Sequence, residues 1–336
     1  MFGGNKLLNE SRELMMIKIF KEKIESYATL VMFKHTIFSL SFGLVSLLLA
    51  TGGVLLGITE FALILIALLA ARTGANAINR VIDAQIDAAN PRTATRQIPM
   101  GSMSKKEALI FSVVCFAIMV AAAWMINPLC GMLSPLALFM MLIYSYTKRF
   151  TWLCHLILGI TCGLAPLGAW LAVTGNFGGL SPVFHALARF DWSDAATHFA
   201  YVFWHDNAIF IPVALFVANA TWVAGFDTIY GTQDFDHDRA HGINSIPARW
   251  GIKRALQISS GLHVVAVMAL VFVGFLAQAL GWLYFAAILI VAVLLMYEHS
   301  IVKPDNLTRA TIASYNVNEI IGIVFMCFSL IDIVFL

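Results

Sequence analysis

The sequence predicts an all-α integral membrane protein, and three observations carry that prediction. Of its 336 residues, 60% are apolar and only 12% are charged, about half the share of roughly 25% in an average soluble domain. Mean hydropathy is +0.84. The apolar residues also lie in continuous runs of spanning length, not in the polar–apolar alternation of an outer-membrane barrel strand. These features exclude a soluble globular enzyme, and a net charge of +2 gives no support to a nucleic-acid partner. The partner that composition demands is the lipid bilayer.

Residues 1–35 mix Lys, Glu and apolar residues without a signal-peptide pattern, and predict an amphipathic cytosolic or interfacial helix. A spanning helix needs ~20 mainly apolar residues. Nine stretches meet or approach that length, at about 36–57, 60–80, 107–127, 129–147, 152–174, 208–226, 254–278, 282–302 and 316–336. Pro128 alone separates the third from the fourth. Residues 36–336 therefore read as one transmembrane domain. When nine spans are threaded from a cytosolic N-terminus, all of the 21 Lys and Arg residues except Arg72 and Arg189 fall on the cytosolic side. The C-terminus is then expected on the outer side, in a cytoplasmic (inner) membrane. An outer insertion at about 175–207, carrying Trp192, Trp204 and several His, reads as an interfacial cover. The five cysteines sit in apolar stretches with no CxxC or Cys/His pairing, and read as small buried hydrophobes.

Two long polar loops on the cytosolic side, 79–106 and 227–253, hold the chemistry. At ~100° per residue, Arg72, Asn76, Asn79, Asp83 and Asp87 fall within an arc of ~80° on one helix. In the second loop Asp227, Tyr230, Asp234 and Asp238 cluster on the same projection, while Asp236 points away as a solvated charge. Ionisable residues on an apolar span line a cavity or pathway. Carboxylates this close repel one another unless cations lie between them. Hard oxygen ligands suit Mg²⁺, which bridges one or two protein carboxylates to substrate phosphates. Two facing stripes would thus hold a diphosphate through bridging metals, with an apolar tail in the body behind. The fold class is accordingly about nine transmembrane helices bundled around a central cavity that opens to the cytosolic side. The opposing reading makes the acids a solvated helix-end network paired with Arg80, Arg92, Arg96 and Arg239.

At these residues the chain resembles the UbiA superfamily of membrane prenyltransferases. Its first motif, NxxxDxxxD, is matched by Asn79, Asp83 and Asp87. The second, DxxYxxxDxxxD, is matched by Asp227, Tyr230, Asp234 and Asp238. Asn90–Pro99, Tyr144–Arg149 and Gly242–Arg249 fit the same places, so the resemblance covers essentially the whole chain. Within the superfamily it looks closest to the 4-hydroxybenzoate polyprenyltransferase branch. The Asn244–Ser245–Ile246 form also resembles a subgroup linked to menaquinone made through futalosine, with a 1,4-dihydroxy-6-naphthoate-type acceptor. The resemblance implies that Mg²⁺ held by Asn79, Asp83, Asp87, Asp234 and Asp238 grips a polyprenyl diphosphate, whose allylic group passes to the ring of a small aromatic acid in quinone biosynthesis. Asp227 is then the first choice for the base or for orienting the phenol, with Tyr230 alongside.

Further cationic and polar residues complete the expectation. Lys148, Arg149, Arg92 and Arg96 are placed to contact diphosphate oxygens. Arg72, within the membrane on the motif face, requires a carboxylate, either Asp83 or the acid group of the substrate. Asn76 shares the stripe, and Asn316, Asn318 and Glu319 enter the last span where they would line the cavity. Glu298 and His299 read as a helix-end pair, and Lys34–His35 as an interfacial opening to the first span. The rival of a different class is a cation-coupled transporter, whose acids would lie nearer the bilayer midplane than these.

Overall fold

The computed structural model describes Tyr27 and residues 37–178, 181–205 and 207–336. The helix expected over residues 1–35, with Lys34 and His35, lies outside the described residues apart from Tyr27. The rest is helical: α1 (Ile37–Ala50), α2 (Ile58–Ala89), α3 (Lys105–Ile126), α4 (Pro128–Thr147), α5 (Cys154–Thr174), α6 (Ser181–Ala188) and α7 (Trp192–His205) come first. They are followed by α8 (Phe210–Gly231), α9 (Phe235–His241), α10 (Ile246–Trp250), α11 (Ile252–Leu276), α12 (Trp282–Ile301) and α13 (Asn318–Phe335).

Among the described residues eight helical segments are long and apolar enough to cross a membrane, one of them running from Asn207 to His241 through α8 and α9. The first expected span, 36–57, is represented by the 14-residue α1, because Gly52 and Gly53 take up left-handed backbone that ends the helix. The second is longer than its apolar run suggests. α2 continues for 32 residues and carries the whole first motif. The insertion at 175–207 folds into α6 and α7, on which Trp192, Phe199 and Tyr201 are exposed.

Local chemistry sets the boundaries. Ser104 accepts from the Glu107 amide at 3.1 Å and opens α3, the N-terminal half of a Ser-x-x-Glu cap. Asn127 accepts from the Cys130 amide at 2.8 Å and Pro128 occupies the first turn of α4, so an Asn–Pro pair divides two apolar runs that hydropathy alone nearly fuses.

α8 is the central helix, buried along its length and packed by α1, α5 and α11. Outward faces of α3, α11 and α12 expose Val113, Val114, Met125, Phe275 and Met296, as a lipid-facing surface requires. α5 approaches α8 so closely that a Cβ on Gly159 would lie 2.1 Å from the Ala220 carbonyl oxygen, and one on Gly163 would lie 2.9 Å from that of Phe216. Small residues spaced by four allow such contact between membrane helices. Gly159→Val is expected to lower stability by on the order of 3 kcal/mol. Thermal unfolding in detergent checks this against Gly168→Ala, where an added Cβ meets nothing within 4 Å.

The C-terminal ends of α2, α4 and α8 and the N-terminal end of α5 meet at one end of the bundle, together with the connections bearing Arg92, Arg96, Lys148, Arg149, Lys303 and Arg309. The insertion and the short turns at 51–57 and 277–281 lie at the other.

Candidate active site

At the end of the bundle that carries the basic connections, the polar stripe of α2 turns inward. Asp83 and Asp87 are both 3% exposed. Asn79 Nδ2 donates to Asp83 Oδ2 at 2.9 Å, and the same carboxylate is flanked by Lys148 Nζ at 2.7 Å and Arg149 Nη1 at 3.1 Å. One turn on, Asp87 Oδ1 meets Arg96 Nη1 at 2.7 Å, while Asp87 Oδ2 is buried with no hydrogen-bond partner among the described residues.

The second motif faces it from the end of α8. Arg92 grips Asp234 with both ends of its guanidinium, its Nε 2.8 Å from Oδ1, and also donates to the Tyr230 hydroxyl. Its guanidinium carbon lies 4.5 Å from the centre of the Tyr230 ring. Burial by itself would lower the pKa of Arg92, but the bond to Asp234 and the neighbouring Tyr230 raise it above its ordinary value, so the charge is permanent. Asn90 Nδ2 adds a bond to Asp234 Oδ1 at 2.7 Å, tying the loop after α2 to the far wall. Asp238 accepts from Ser245 Oγ at 2.8 Å, and that same hydroxyl caps α10 at the Ala248 amide.

Together these groups line a chamber of about 280 Å³. Five carboxylates, Asp83, Asp87, Asp227, Asp234 and Asp238, face five cations, Arg72, Arg80, Arg92, Arg96 and Lys148. Formal charge therefore balances before any ligand arrives. Arg72, Asn76, Tyr144, Leu158 and Cys162 line both this chamber and a second cavity of about 240 Å³ whose walls are almost wholly apolar, so the two adjoin along these residues.

Of the residues that sequence reasoning assembled, the structure brings Arg72, Asn76, Asn79, Asp83, Asp87, Arg92, Arg96, Lys148, Asp227, Tyr230, Asp234 and Asp238 to this chamber. Two it does not. Arg149 braces the rim, donating to the Ser145 and Ile82 carbonyls at 2.8 Å each besides its contact with Asp83. Asn318 is fully buried behind the wall, where its oxygen accepts from Trp222 Nε1 at 2.5 Å and its amide donates to Glu298 Oε2 at 3.1 Å. Its hydrogen-bonding groups are committed there and do not reach substrate. Glu298 and His299 are not a helix-end pair either. Glu298 is fully buried beside Asn318, and His299 Nε2 lies 2.9 Å from His263 Nδ1.

The solvated-network reading is half right. Arg92 and Arg96 do pair with the acids, but in the half-buried wall of the chamber, and Arg239 stacks on Phe235 with its guanidinium carbon 5.5 Å from the ring centre. Asp236 is exposed.

Sequence reasoning missed His155, whose Nδ1 lies 2.7 Å from Asp227 Oδ2, and Tyr315, whose ring packs edge-on to Tyr230 at 4.9 Å between centres. His155 had a signal, since it stands four residues before Gly159 and eight before Gly163, on the stripe that meets α8. Tyr315 had none, because it is presented by a π-helical turn, Ile312–Val317, that no 3.6-residue period reveals.

Fold and site together define a class: an all-helical, multi-span membrane protein with a charge-balanced chamber at one end and an apolar cavity behind it. The chain belongs to the UbiA prenyltransferase family, which it matches over residues 39–320, and it is a prenyltransferase. It is 28% identical over 262 residues to a 4-hydroxybenzoate octaprenyltransferase of Aliivibrio fischeri (strain MJ11), covering 77% of this chain and 78% of that protein. A protoheme IX farnesyltransferase of Korarchaeum cryptofilum (strain OPF8) is 30% identical over 205 residues, covering 60% of this chain and 68% of that protein. Among solved structures, the apo form of a UbiA homologue from Aeropyrum pernix K1 aligns with a TM-score of 0.72 and 31% identity, covering 89% of this chain and 98% of that one. A UbiA homologue from Archaeoglobus fulgidus bound to DMAPP and Mg²⁺ aligns with a TM-score of 0.60 over 93% of this chain and 100% of that one; at 18% identity the likeness is one of fold. Family membership sets aside the transporter reading.

Proposed function

We propose that this prenyltransferase moves a polyprenyl group from an allylic diphosphate to the ring of an aromatic acid of the 4-hydroxybenzoate type, in quinone biosynthesis at the cytoplasmic membrane. The observation that carries the reading is that the charged chamber adjoins an apolar cavity, the two sharing Arg72, Asn76 and Tyr144 as walls. A polyprenyl diphosphate has that same division between polyanionic head and long apolar tail. The basic connections at the chamber end support a cytosolic opening, with the insertion at 175–207 on the outer side.

A divalent metal fits the donor set. Among the described residues no three acidic, His or Cys side chains converge to hold an ion by themselves. Mg²⁺ suits such a site, since it takes one or two carboxylates and completes its shell with waters and substrate phosphates. The orphaned Asp87 Oδ2 is a buried oxygen that awaits a cation. Asn79, Asp83, Asp87, Asp234 and Asp238 would hold the ion, which when bound neutralises charge on the departing diphosphate.

The chain's own residues do the rest. Arg92, Arg96 and Lys148, now bound to aspartates, turn to the diphosphate oxygens as the C–O bond breaks. Arg72, at the junction of chamber and tunnel, anchors the carboxylate of the acceptor. Tyr230 presents an aromatic face beside the developing allylic cation. Asp227, on the central helix, takes the ring proton after the new C–C bond forms.

Membranes containing the protein, Mg²⁺ and a long-chain prenyl diphosphate should convert 4-hydroxybenzoate into a prenylated acid detectable by mass spectrometry. EDTA should abolish the product, and added Mg²⁺ should restore it. Offering 1,4-dihydroxy-6-naphthoate in parallel assigns the acceptor, because a product from that acid alone moves the chain to menaquinone synthesis. No product from either, with EDTA making no difference, overturns the proposal.

A further inference from the structure

The chamber sorts its carboxylates by partner. Asp83, Asp87 and Asp234 are paired with Lys or Arg, whose charge is permanent, and Asp238 accepts from a serine hydroxyl. Asp227 stands apart, with its Oδ2 2.7 Å from Nδ1 of His155. Carboxylates paired with permanent cations suit a metal that bridges to substrate phosphates. A carboxylate paired with an imidazole has a neighbour able to share a proton near neutral pH.

His155 is held for that pairing by the fold rather than by its own surroundings. It sits in the first turn of α5, one turn before the Gly159–Ala220 close approach that fixes α5 against α8. A Cβ on Gly231 would lie 2.7 Å from His155 Cε1, so only glycine on α8 leaves room for the ring. The residue is 7% exposed, yet Nε2 has no hydrogen-bond partner among the described residues, although the ring lines the chamber. A histidine kept merely to fill the helix interface would leave neither a buried ring nitrogen unpartnered nor its other nitrogen on a half-buried catalytic carboxylate.

The geometry points to His155 as the positioning residue of an Asp227–His155 pair that carries the deprotonation of the aromatic acceptor. This rests on the prenyl-transfer reading above and deepens it. Carbon 1 of the prenyl group bonds to the ring carbon ortho to the hydroxyl as its bond to the diphosphate oxygen breaks. The C–H electron pair at that carbon then returns to the ring, and the proton passes to Asp227 Oδ1. His155, whose Nδ1–H donates to Oδ2, fixes the carboxylate's orientation and so presents Oδ1 to the ring proton, as the buried Asp of a catalytic triad orients its His, with roles exchanged. When product leaves, Asp227 Oδ1 releases the proton to water and the pair is restored.

The test uses wild type, His155→Leu and His155→Asn in membranes, with 4-hydroxybenzoate carrying hydrogen or deuterium at its 3 and 5 positions. His155→Leu should lower kcat by about 10²-fold, the usual contribution of a positioned proton-transfer group. KM for the prenyl diphosphate should not change. A ring-deuterium isotope effect absent from wild type should appear, because C–H cleavage becomes slow. His155→Asn, whose amide still donates to Asp227, should recover part of the rate. Gly231→Ala, which keeps the imidazole but displaces it, should give the same isotope signature and guards against a leucine variant that fails to fold. Wild-type kcat in His155→Leu, or a lowered kcat with no isotope effect in any variant, overturns the assignment while leaving prenyl transfer intact. Absence of product from wild type with any acceptor instead overturns the reading beneath it.

Discussion

Asp83→Ala and Asp234→Ala are each expected to cut prenyl transfer by at least about 10³-fold, the upper range for loss of one electrostatic group in a preorganised site. Both variants should remain folded in membranes. The two aspartates stand on opposite walls of one chamber, so each change removes one member of the binding set from a different wall. Stability should suffer less than burial alone implies. Breaking a fully buried ion pair costs roughly 3–5 kcal/mol because a charge is left stranded. Here the freed cations are not stranded, since the side chains of Lys148, Arg149 and Arg92 are 25%, 34% and 28% exposed and can turn to water. Size-exclusion of the detergent-extracted protein checks folding, and mass spectrometry of prenylated acid checks turnover. Unchanged turnover in both variants would remove the two-walled grip from consideration.

The stripe carrying those aspartates was legible because a helix imposes one period on everything it carries. Asn79, Asp83 and Asp87 could be placed on one face without knowing what lay opposite. Asp236 could be sent to solvent by the same projection. That method fails where the decisive partner belongs to another helix. Glu298 lies in the last turn of α12, where a single helix suggests a solvated charge, yet α8 and α13 bury it completely through Asn318 and Trp222. His155 is the same failure in the other direction. The Gly159–Gly163 stripe marks the face His155 shares, but not its partner, which appears only when the glycine-mediated approach of α5 brings Asp227 to 2.7 Å. The pairings within the chamber were not legible either, because Lys148 could reach either motif and only the packing of α4 beside α2 gives it to Asp83.

The apolar cavity predicts the second large effect. If it holds the prenyl tail, filling it should shorten the longest donor accepted without harming the chemistry. Ala137 on α4 and Gly168 on α5 both line it, and an added Cβ at Gly168 meets nothing within 4 Å, so a larger side chain there takes up tail volume instead of displacing a wall. A phenyl group adds many heavy atoms to a cavity of about 240 Å³. Gly168→Phe and Ala137→Phe are therefore expected to lower kcat/KM for a long-chain donor by about 10²-fold, corresponding to about 2.7 kcal/mol of lost tail burial and added overlap. Neither change touches the chamber, so a C10 donor, whose tail stops short of the block, should keep most of its rate. The two variants assayed against donors of increasing length give the position of the block directly, as the chain length at which rate collapses. Equal losses at every length would mean that the cavity shapes the chamber rather than holds the tail, and the tail would then have to leave the bundle for the lipid beside α3, where the exposed side chains of Val113 and Val114 already face it.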